Sequence, residues 1–140
     1  MTKNIHATAV DIDGKGVLLI GAPGSGKSDL AFRLIMNKNA VLIADDRVDI
    51  FVENGVLKAT CPENIKGLLE VRGIGICKFP FHDSVEIKLV VQLEKPDTKI
   101  ERLPNKETTS LMEKDIPLIR IHSWEASSPD KIIIACYQNT

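Results

Sequence analysis

One eight-residue segment constrains this chain more than any other feature. Residues 21–28 read Gly-Ala-Pro-Gly-Ser-Gly-Lys-Ser and satisfy the pattern G-x-x-x-x-G-K-[ST] in full. An apolar run, Val17 to Ile20, precedes this segment. The apolar residues after it recur at helical spacing and predict a helix over 28–36: Leu30, Ala31, Leu34 and Ile35. The pattern therefore predicts an α/β fold in which a strand, a phosphate-binding loop and a helix follow one another.

Each fixed position of this loop has a chemical reason. Glycines let successive backbone N–H groups turn inward around phosphate oxygens, and the following helix directs its positive end at the same anion. Lys27 would neutralise the β- and γ-phosphates, and Ser28 would place its hydroxyl on Mg²⁺. The predicted ATP-binding residues are Gly21, Ala22, Pro23, Gly24, Ser25, Gly26, Lys27 and Ser28. The alternative is an ordinary glycine-rich turn that binds nothing.

Acidic residues follow the loop at places suited to metal binding and proton transfer. Asp45 and Asp46 end a short predicted strand, and adjacent residues at a strand end point in different directions. One can then face a metal while the other faces an incoming hydroxyl. Glu70 lies in an apolar segment, where an unpaired carboxylate is costly. The alternatives are a solvated turn for the two aspartates and a Glu70–Arg72 ion pair on an exposed strand face.

The rest of the chain predicts a single domain over residues 1–140, because no linker divides it. Two hairpins are expected around Asp13-Gly14 and Asn54-Gly55. Further expected elements are a strand over 40–44, a short helix or turn over 62–67, a strand over 85–93, weak helical content over 109–113, a strand over 116–121, and a last helix over 129–137 capped by Ser128.

Composition excludes several classes of partner. The net charge of −1 gives no reason to expect affinity for nucleic acid or acidic membranes. No apolar run is long enough to span a bilayer, and the N-terminal residues carry no signal-peptide apolar region. Three widely spaced cysteines without a Cys-x-x-Cys pair indicate reduced thiols. We therefore expect a cytoplasmic protein.

Three segments together resemble the catalytic domain of HPr kinase/phosphorylase. The family's opening histidine strand is similar to residues 6–11, its Ala-Asp-Asp-x-Val segment to residues 44–48, and its most distinctive signature to Leu-Glu-Val-Arg-Gly-Ile-Gly-Ile at 69–76. This family phosphorylates a serine of HPr, the small phosphocarrier of the bacterial sugar phosphotransferase system. The resemblance implies a fold related to phosphoenolpyruvate carboxykinase, with a mixed β-sheet flanked by helices.

The resemblance also implies catalytic roles. Asp46 corresponds to the acid that takes the serine hydroxyl proton, and Lys27 to the phosphate-binding lysine. His6 corresponds to the family's active-site histidine. Arg102, in a short local match, resembles the family's catalytic arginine, although a solvated surface cation is the alternative. The implied cofactors are ATP and Mg²⁺, and the implied partner is HPr or a related phosphocarrier.

For the metal, the resemblance implies Ser28 and Glu70 as ligands, with Asp45 nearby. The chain departs from the family's long form in two ways. It shows no N-terminal regulatory domain and is therefore similar to a short form. Residues 119–128 also lack the Pro-Val-x-Pro-Gly-Arg-Asn loop, which argues against the reverse, phosphorylase activity. The family's hexameric assembly is left open.

Two other functions remain compatible with the sequence. The first is a small-molecule kinase on the same scaffold, and the second is a nucleotide-binding regulatory module without transfer activity. The acceptor serine, the choice between ATP and pyrophosphate, and any regulators are not determined by the sequence.

Overall fold

Strands dominate the chain. A computed structural model describes residues 1–138, which form eleven strands and two α-helices. The strands are β1 (Thr2–His6), β2 (Thr8–Ile12), β3 (Lys15–Ile20), β4 (Val41–Ala44), β5 (Arg47–Glu53), β6 (Val56–Thr60), β7 (Leu68–Val71), β8 (Gly75–Lys78), β9 (Ser84–Leu93), β10 (Glu107–Leu111) and β11 (Lys114–Ile121). The helices are α1 (Lys27–Lys38) and α2 (Ser128–Gln138), and a 3₁₀ turn spans Glu63–Ile65.

Nine of the strands form one mixed sheet. Its order is β1-β5-β6-β9-β3-β2-β4, and β11 branches from β9 and carries β10. Strand β9 runs parallel to both β3 and β11. The carboxyl ends of β3, β9 and β11 therefore lie at the same edge of the sheet, here called the carboxyl edge. Strands β7 and β8 form a separate two-stranded hairpin.

The sheet is buried on both sides, but by different partners. Both helices contribute to one cluster of buried apolar side chains, in which Leu30 and Leu34 of α1 and Ile132 of α2 pack with residues of β2, β3 and β9. On the other side, the sheet curls over itself, so that Val48 and Ile50 of β5 pack with residues of β2, β3 and β4. The curled mixed sheet explains why the central strands are apolar on both faces.

Most expected elements are present. Both hairpins form where the Asp-Gly and Asn-Gly pairs predicted them. Strand β1, however, was not among the expected elements, and it pairs with β5. No helix in residues 1–138 has the length and apolar content needed to cross a bilayer.

The expected helical content at 109–113 is wrong. These residues form the end of β10 and a two-residue turn into β11. Met112 and Glu113 both adopt positive φ, 48° and 67°, as a type I′ hairpin turn requires. Neither residue is one of the usual Asn or Gly turn formers, so the sequence gave no turn signal there.

The start of α2 also differs from expectation. The helix includes Ser128 as its first residue, and the Ser128 hydroxyl donates a hydrogen bond of 2.6 Å to the carbonyl of His122. Ser128 is fully buried, and its side chain holds the start of α2 to the preceding loop.

Candidate active site

The glycine-rich loop follows β3 directly and leads into α1. Gly26 precedes the helix with φ 96°, a left-handed conformation that favours glycine. A Cβ atom on Gly26 would also lie 2.5 Å from the hydroxyl oxygen of Ser123. Both backbone conformation and close packing therefore require glycine at this position.

Lys27 is folded back over the loop that it belongs to. Its Nζ donates hydrogen bonds to the carbonyl oxygens of Gly21 at 3.0 Å and Ala22 at 3.2 Å. Burial lowers the pKa of the Lys27 ammonium from 10.5, and the nearby carboxylates of Asp46 and then Asp45 oppose that shift. The ammonium is thus a partly desolvated cation whose charge an incoming phosphate would stabilise.

Asp45 is a buried carboxylate held by three donors. The hydroxyl of Thr8 donates to Oδ1 at 2.9 Å, and the hydroxyl of Ser28 donates to the same oxygen at 2.7 Å. The backbone N–H of Glu70 donates to Oδ2 at 3.3 Å. The arrangement brings Ser28 and the backbone N–H of Glu70 to Asp45, and the metal-ligand roles of these residues stay a prediction.

This set of donors suits Mg²⁺ only as part of a larger coordination sphere. Within residues 1–138, no group of three or more His, Cys, Asp or Glu residues is arranged to hold a metal ion. Mg²⁺ is usually bound through one or two carboxylates together with waters and substrate phosphates. The Ser28 hydroxyl and the Asp45 carboxylate, 2.7 Å apart beside the phosphate loop, fit that pattern.

Asp46 points away from Asp45 and into solvent. Its Oδ1 lies 2.9 Å from Nε2 of His6, and its backbone has φ 73°. Left-handed backbone at a residue other than glycine is uncommon and often marks functional sites. The two adjacent aspartates therefore have separate environments, one buried beside Ser28 and one exposed beside His6.

A cavity of about 520 Å³ joins these groups. Its lining combines loop residues with side chains from β1, β2, β7 and the residues that follow β4 and β7: His6, Thr8, Pro23, Gly24, Gly26, Lys27, Ser28, Asp29, Asp46, Glu70 and Arg72. We call it the P-loop pocket. The predicted site residues Gly21, Ala22, Ser25 and Asp45 are not among its lining residues.

Arg72 was not expected to belong to the site. The sequence offered it only as an ion-pair partner of Glu70, but no ion pair joins the two side chains in residues 1–138. Both line the P-loop pocket from the β7–β8 hairpin. The sequence did contain one signal that could have placed Arg72 in the site. The glycine-rich turn that follows it indicates that the arginine lies at the end of a hairpin.

Arg102 is not brought to the P-loop pocket. It lies in the β9–β10 loop (residues 94–106) and lines a different cavity of about 720 Å³, bounded also by β11 and α2. The β9–β10 loop passes β11, because β11 lies between β9 and β10 in the sheet. The sequence could not indicate this path because the segment is polar and aperiodic.

A distant segment supports the phosphate loop. Ser123 belongs to the β11–α2 loop (residues 122–127), and its hydroxyl donates a 2.6 Å hydrogen bond to the carbonyl of Ser25. Arg33 of α1 donates to the carbonyls of Ser123 and Glu125 in the same loop. Ser123 and Ser25 are 98 residues apart, so no local sequence signal predicted this contact.

Comparisons with known proteins agree on one family. A family model described as "HPr Serine kinase C-terminal domain" matches residues 1–140. The chain is 38% identical to the HPr kinase/phosphorylase of Brevibacillus brevis over 131 residues, 86% of this chain and 42% of that protein. It is 35% identical to the HPr kinase/phosphorylase of Burkholderia lata over 147 aligned positions, 97% of this chain and 45% of that protein.

A solved structure supports the same relationship. The Hpr(Ser) kinase/phosphatase from Coxiella burnetii superposes with a TM-score of 0.82 and 27% sequence identity, covering 98% of this chain and 89% of that chain. The chain spans less than half the length of the two curated relatives above.

Proposed function

The chain belongs to the HPr serine kinase C-terminal domain family, and from this we propose that it is an ATP- and Mg²⁺-dependent kinase that phosphorylates a serine of HPr or a related phosphocarrier. One observation carries the proposal. A single pocket is lined by Lys27 and Ser28 of the phosphate loop and also by Asp46, whose carboxylate is exposed. A site that only bound nucleotide would not need that carboxylate.

The phosphate loop would bind and orient the donor. Backbone N–H groups of residues 21–28 and the start of α1 favour a polyphosphate anion, and the Lys27 ammonium exchanges its loop carbonyls for phosphate oxygens. Ser28 and Glu70 would hold Mg²⁺, with Asp45 beside them. When bound, Mg²⁺ would neutralise charge that develops on the phosphates during transfer.

Asp46 would act as the general base. The serine hydroxyl oxygen forms a bond to the γ-phosphorus, the bond from that phosphorus to the β–γ bridging oxygen breaks, and ADP leaves. The hydroxyl proton passes to the Asp46 carboxylate. The contact between His6 and Oδ1 holds this carboxylate in one orientation, so that Oδ2 remains free to face the acceptor. General base catalysis of this kind contributes about 10²- to 10⁴-fold.

Arg72 supplies a second cation to the pocket beside Lys27. Its guanidinium is suited to the equatorial oxygens of the transferred group. The catalytic role of Arg102 remains a prediction from the resemblance, because its side chain lines the other cavity. The relation to the phosphoenolpyruvate carboxykinase fold and a cytoplasmic location are also part of the proposal. The antiparallel strand β2 beside β3 supports the former.

The decisive experiment is transfer from radiolabelled ATP to purified HPr, read on a gel. Asp46→Asn should bind Mg·ATP as the parent does and transfer about 10²- to 10⁴-fold more slowly. Asparagine tolerates the left-handed backbone, so the fold is kept. Asp13→Asn is the matched control, since Asp13 also has positive φ, 51°, but lies outside the P-loop pocket. Parent-rate transfer by Asp46→Asn would show that the assignment is wrong.

The same assay separates the two rival functions. A small-molecule kinase would label a metabolite in the absence of any protein acceptor. A regulatory module would bind ATP, lose that binding in Lys27→Ala, and label nothing. The proposed kinase also loses ATP affinity in Lys27→Ala, but the parent labels HPr.

A further inference from the structure

The P-loop pocket has groups suited to binding phosphates but none suited to binding a nucleobase. Of its eleven lining residues, only His6 carries an aromatic ring, and that ring contacts Asp46. The base of a nucleoside triphosphate must therefore rest outside the pocket. In open α/β sheets, ligands lie beyond the carboxyl ends of the strands. The loops at the carboxyl edge are accordingly where a base surface is expected.

The β11–α2 loop is one segment of that edge in direct contact with the phosphate loop. The Ser123 hydroxyl donates a hydrogen bond to the Ser25 carbonyl at 2.6 Å. Ser123 also packs against Gly26, because a Cβ atom on Gly26 would lie 2.5 Å from the same hydroxyl oxygen. A ligand that leaves the pocket past Gly26 therefore meets this loop first.

Arg33 ties the β11–α2 loop to the pocket wall. Its guanidinium donates to the carbonyl oxygens of Ser123 and Glu125, and its Nε lies 3.1 Å from the carboxylate of Asp29. Asp29 lines the P-loop pocket in the first turn of α1. The loop is thus fixed relative to the phosphate site through the helix that binds the phosphates.

Trp124 belongs to this loop, and its side chain is more than half exposed. It is 56% exposed, and its ring lies 4.3 Å from the ring of His122 at an interplanar angle of 30°. The histidine ring packs against the indole, and more than half of the tryptophan remains exposed to solvent. An exposed aromatic ring on the loop that contacts residues 21–28 is suited to stacking with a base.

We propose that Trp124 is the stacking platform for the purine base of the bound nucleotide. This rests on the proposed function, because it requires that the P-loop pocket hold the phosphates. Stacking depends on the π-face that every base presents, so it favours a nucleotide over bare pyrophosphate or triphosphate and discriminates weakly between adenine and guanine. The site therefore gives a physical basis for using ATP in preference to pyrophosphate.

The chain allows a direct test because Trp124 is its only tryptophan. Mg·ATP and Mg·tripolyphosphate are titrated into the full chain, with affinity measured by calorimetry and indole fluorescence followed in parallel. We expect both ligands to bind, but only ATP to quench the fluorescence. Trp124→Ala should weaken ATP binding about 5- to 150-fold and leave tripolyphosphate binding unchanged, and Trp124→Phe should restore most of the ATP affinity.

Tyr137→Ala is the control variant, since Tyr137 is also an exposed aromatic but lies at the other end of α2. Thermal unfolding of each variant checks that the fold is kept. If neither Mg·ATP nor Mg·tripolyphosphate binds the parent chain, the proposed function itself fails and the base platform with it. A second negative outcome is that tripolyphosphate binds the parent while Trp124→Ala leaves ATP affinity unchanged or lowers the affinity for both ligands equally. In that case only the assignment of Trp124 as the base platform is wrong. Loss of phosphocarrier labelling with unchanged ATP affinity would instead assign Trp124 to protein docking and overturn the proposal.

Discussion

Thr8→Val tests whether the buried carboxylate of Asp45 depends on its hydroxyl donors. The Thr8 hydroxyl is fully buried and lies 2.9 Å from Oδ1 of Asp45. A hydrogen bond to a charged group contributes about 1.5–3 kcal/mol to the free energy of unfolding. Ser28 still donates to the same oxygen at 2.7 Å, so Oδ1 is not left without a partner. We therefore expect a loss near the lower limit, about 1.5–2 kcal/mol.

Urea unfolding followed by circular dichroism measures this loss directly. The dependence on urea concentration should keep its slope while the midpoint falls, because the exposed area on unfolding is unchanged. For a chain of this length, a loss of that size lowers Tm by about 4–8 °C. An unfolding free energy within about 0.5 kcal/mol of the parent value would refute the reasoning, since that is the range of an inconsequential surface change.

The same substitution has a second consequence for metal binding. When Ser28 turns to a metal, Thr8 is the remaining hydroxyl donor to Asp45, so it positions that carboxylate. Groups that orient metal ligands typically change metal affinity by about 10- to 100-fold. Thr8→Val should therefore weaken Mn²⁺ binding to the nucleotide complex, measured by electron paramagnetic resonance, without weakening metal-free nucleotide binding. Thr8→Ser retains the donor and should restore the metal affinity. A loss of stability with unchanged Mn²⁺ affinity would limit Thr8 to a structural role.

Two further predictions follow from shifted pKa values. Burial lowers the pKa of Lys27 in the free protein and a bound phosphate raises it, so tripolyphosphate affinity should fall as pH rises through the window below 10.5. Calorimetry across pH 8–10 in Lys27→Arg, whose side chain stays charged, should show no such fall. Burial also raises the pKa of the Cys61 and Cys136 thiols to about 11, so maleimide at neutral pH should modify Cys77 alone in the native protein. Labelling of three thiols before unfolding would contradict this.

Local chemistry accounts for what the sequence predicted correctly. The order of strand, glycine-rich loop and helix over residues 15–38 and the two hairpins at Asp-Gly and Asn-Gly pairs depend on residues close together in the chain. The divergence of Asp45 and Asp46 follows from strand geometry and is confirmed by their separate partners, Ser28 and His6.

Tertiary packing determines what the sequence could not predict. Arg72 reaches the pocket because the β7–β8 hairpin packs beside α1, and Arg102 lines another cavity because its loop runs past β11. Glu70 was expected to be costly in an apolar segment, but it lies on the exposed face of β7 while Leu69 and Val71 are buried. A short apolar run does not reveal which of its faces is covered.

The contact between Ser123 and the phosphate loop also has a consequence for synthesis on the ribosome. Strand β3 acquires its neighbour β2 as soon as the first hairpin emerges, but its other neighbour, β9, comprises residues 84–93. The hydrogen bond to the Ser25 carbonyl comes from Ser123, which is synthesised later still. A nascent chain that includes residues 21–28 but not β9 therefore has a phosphate loop without these contacts. One edge of β3 is also unpaired at that stage. The proposed nucleotide site therefore gains this contact only once residue 123 has been synthesised.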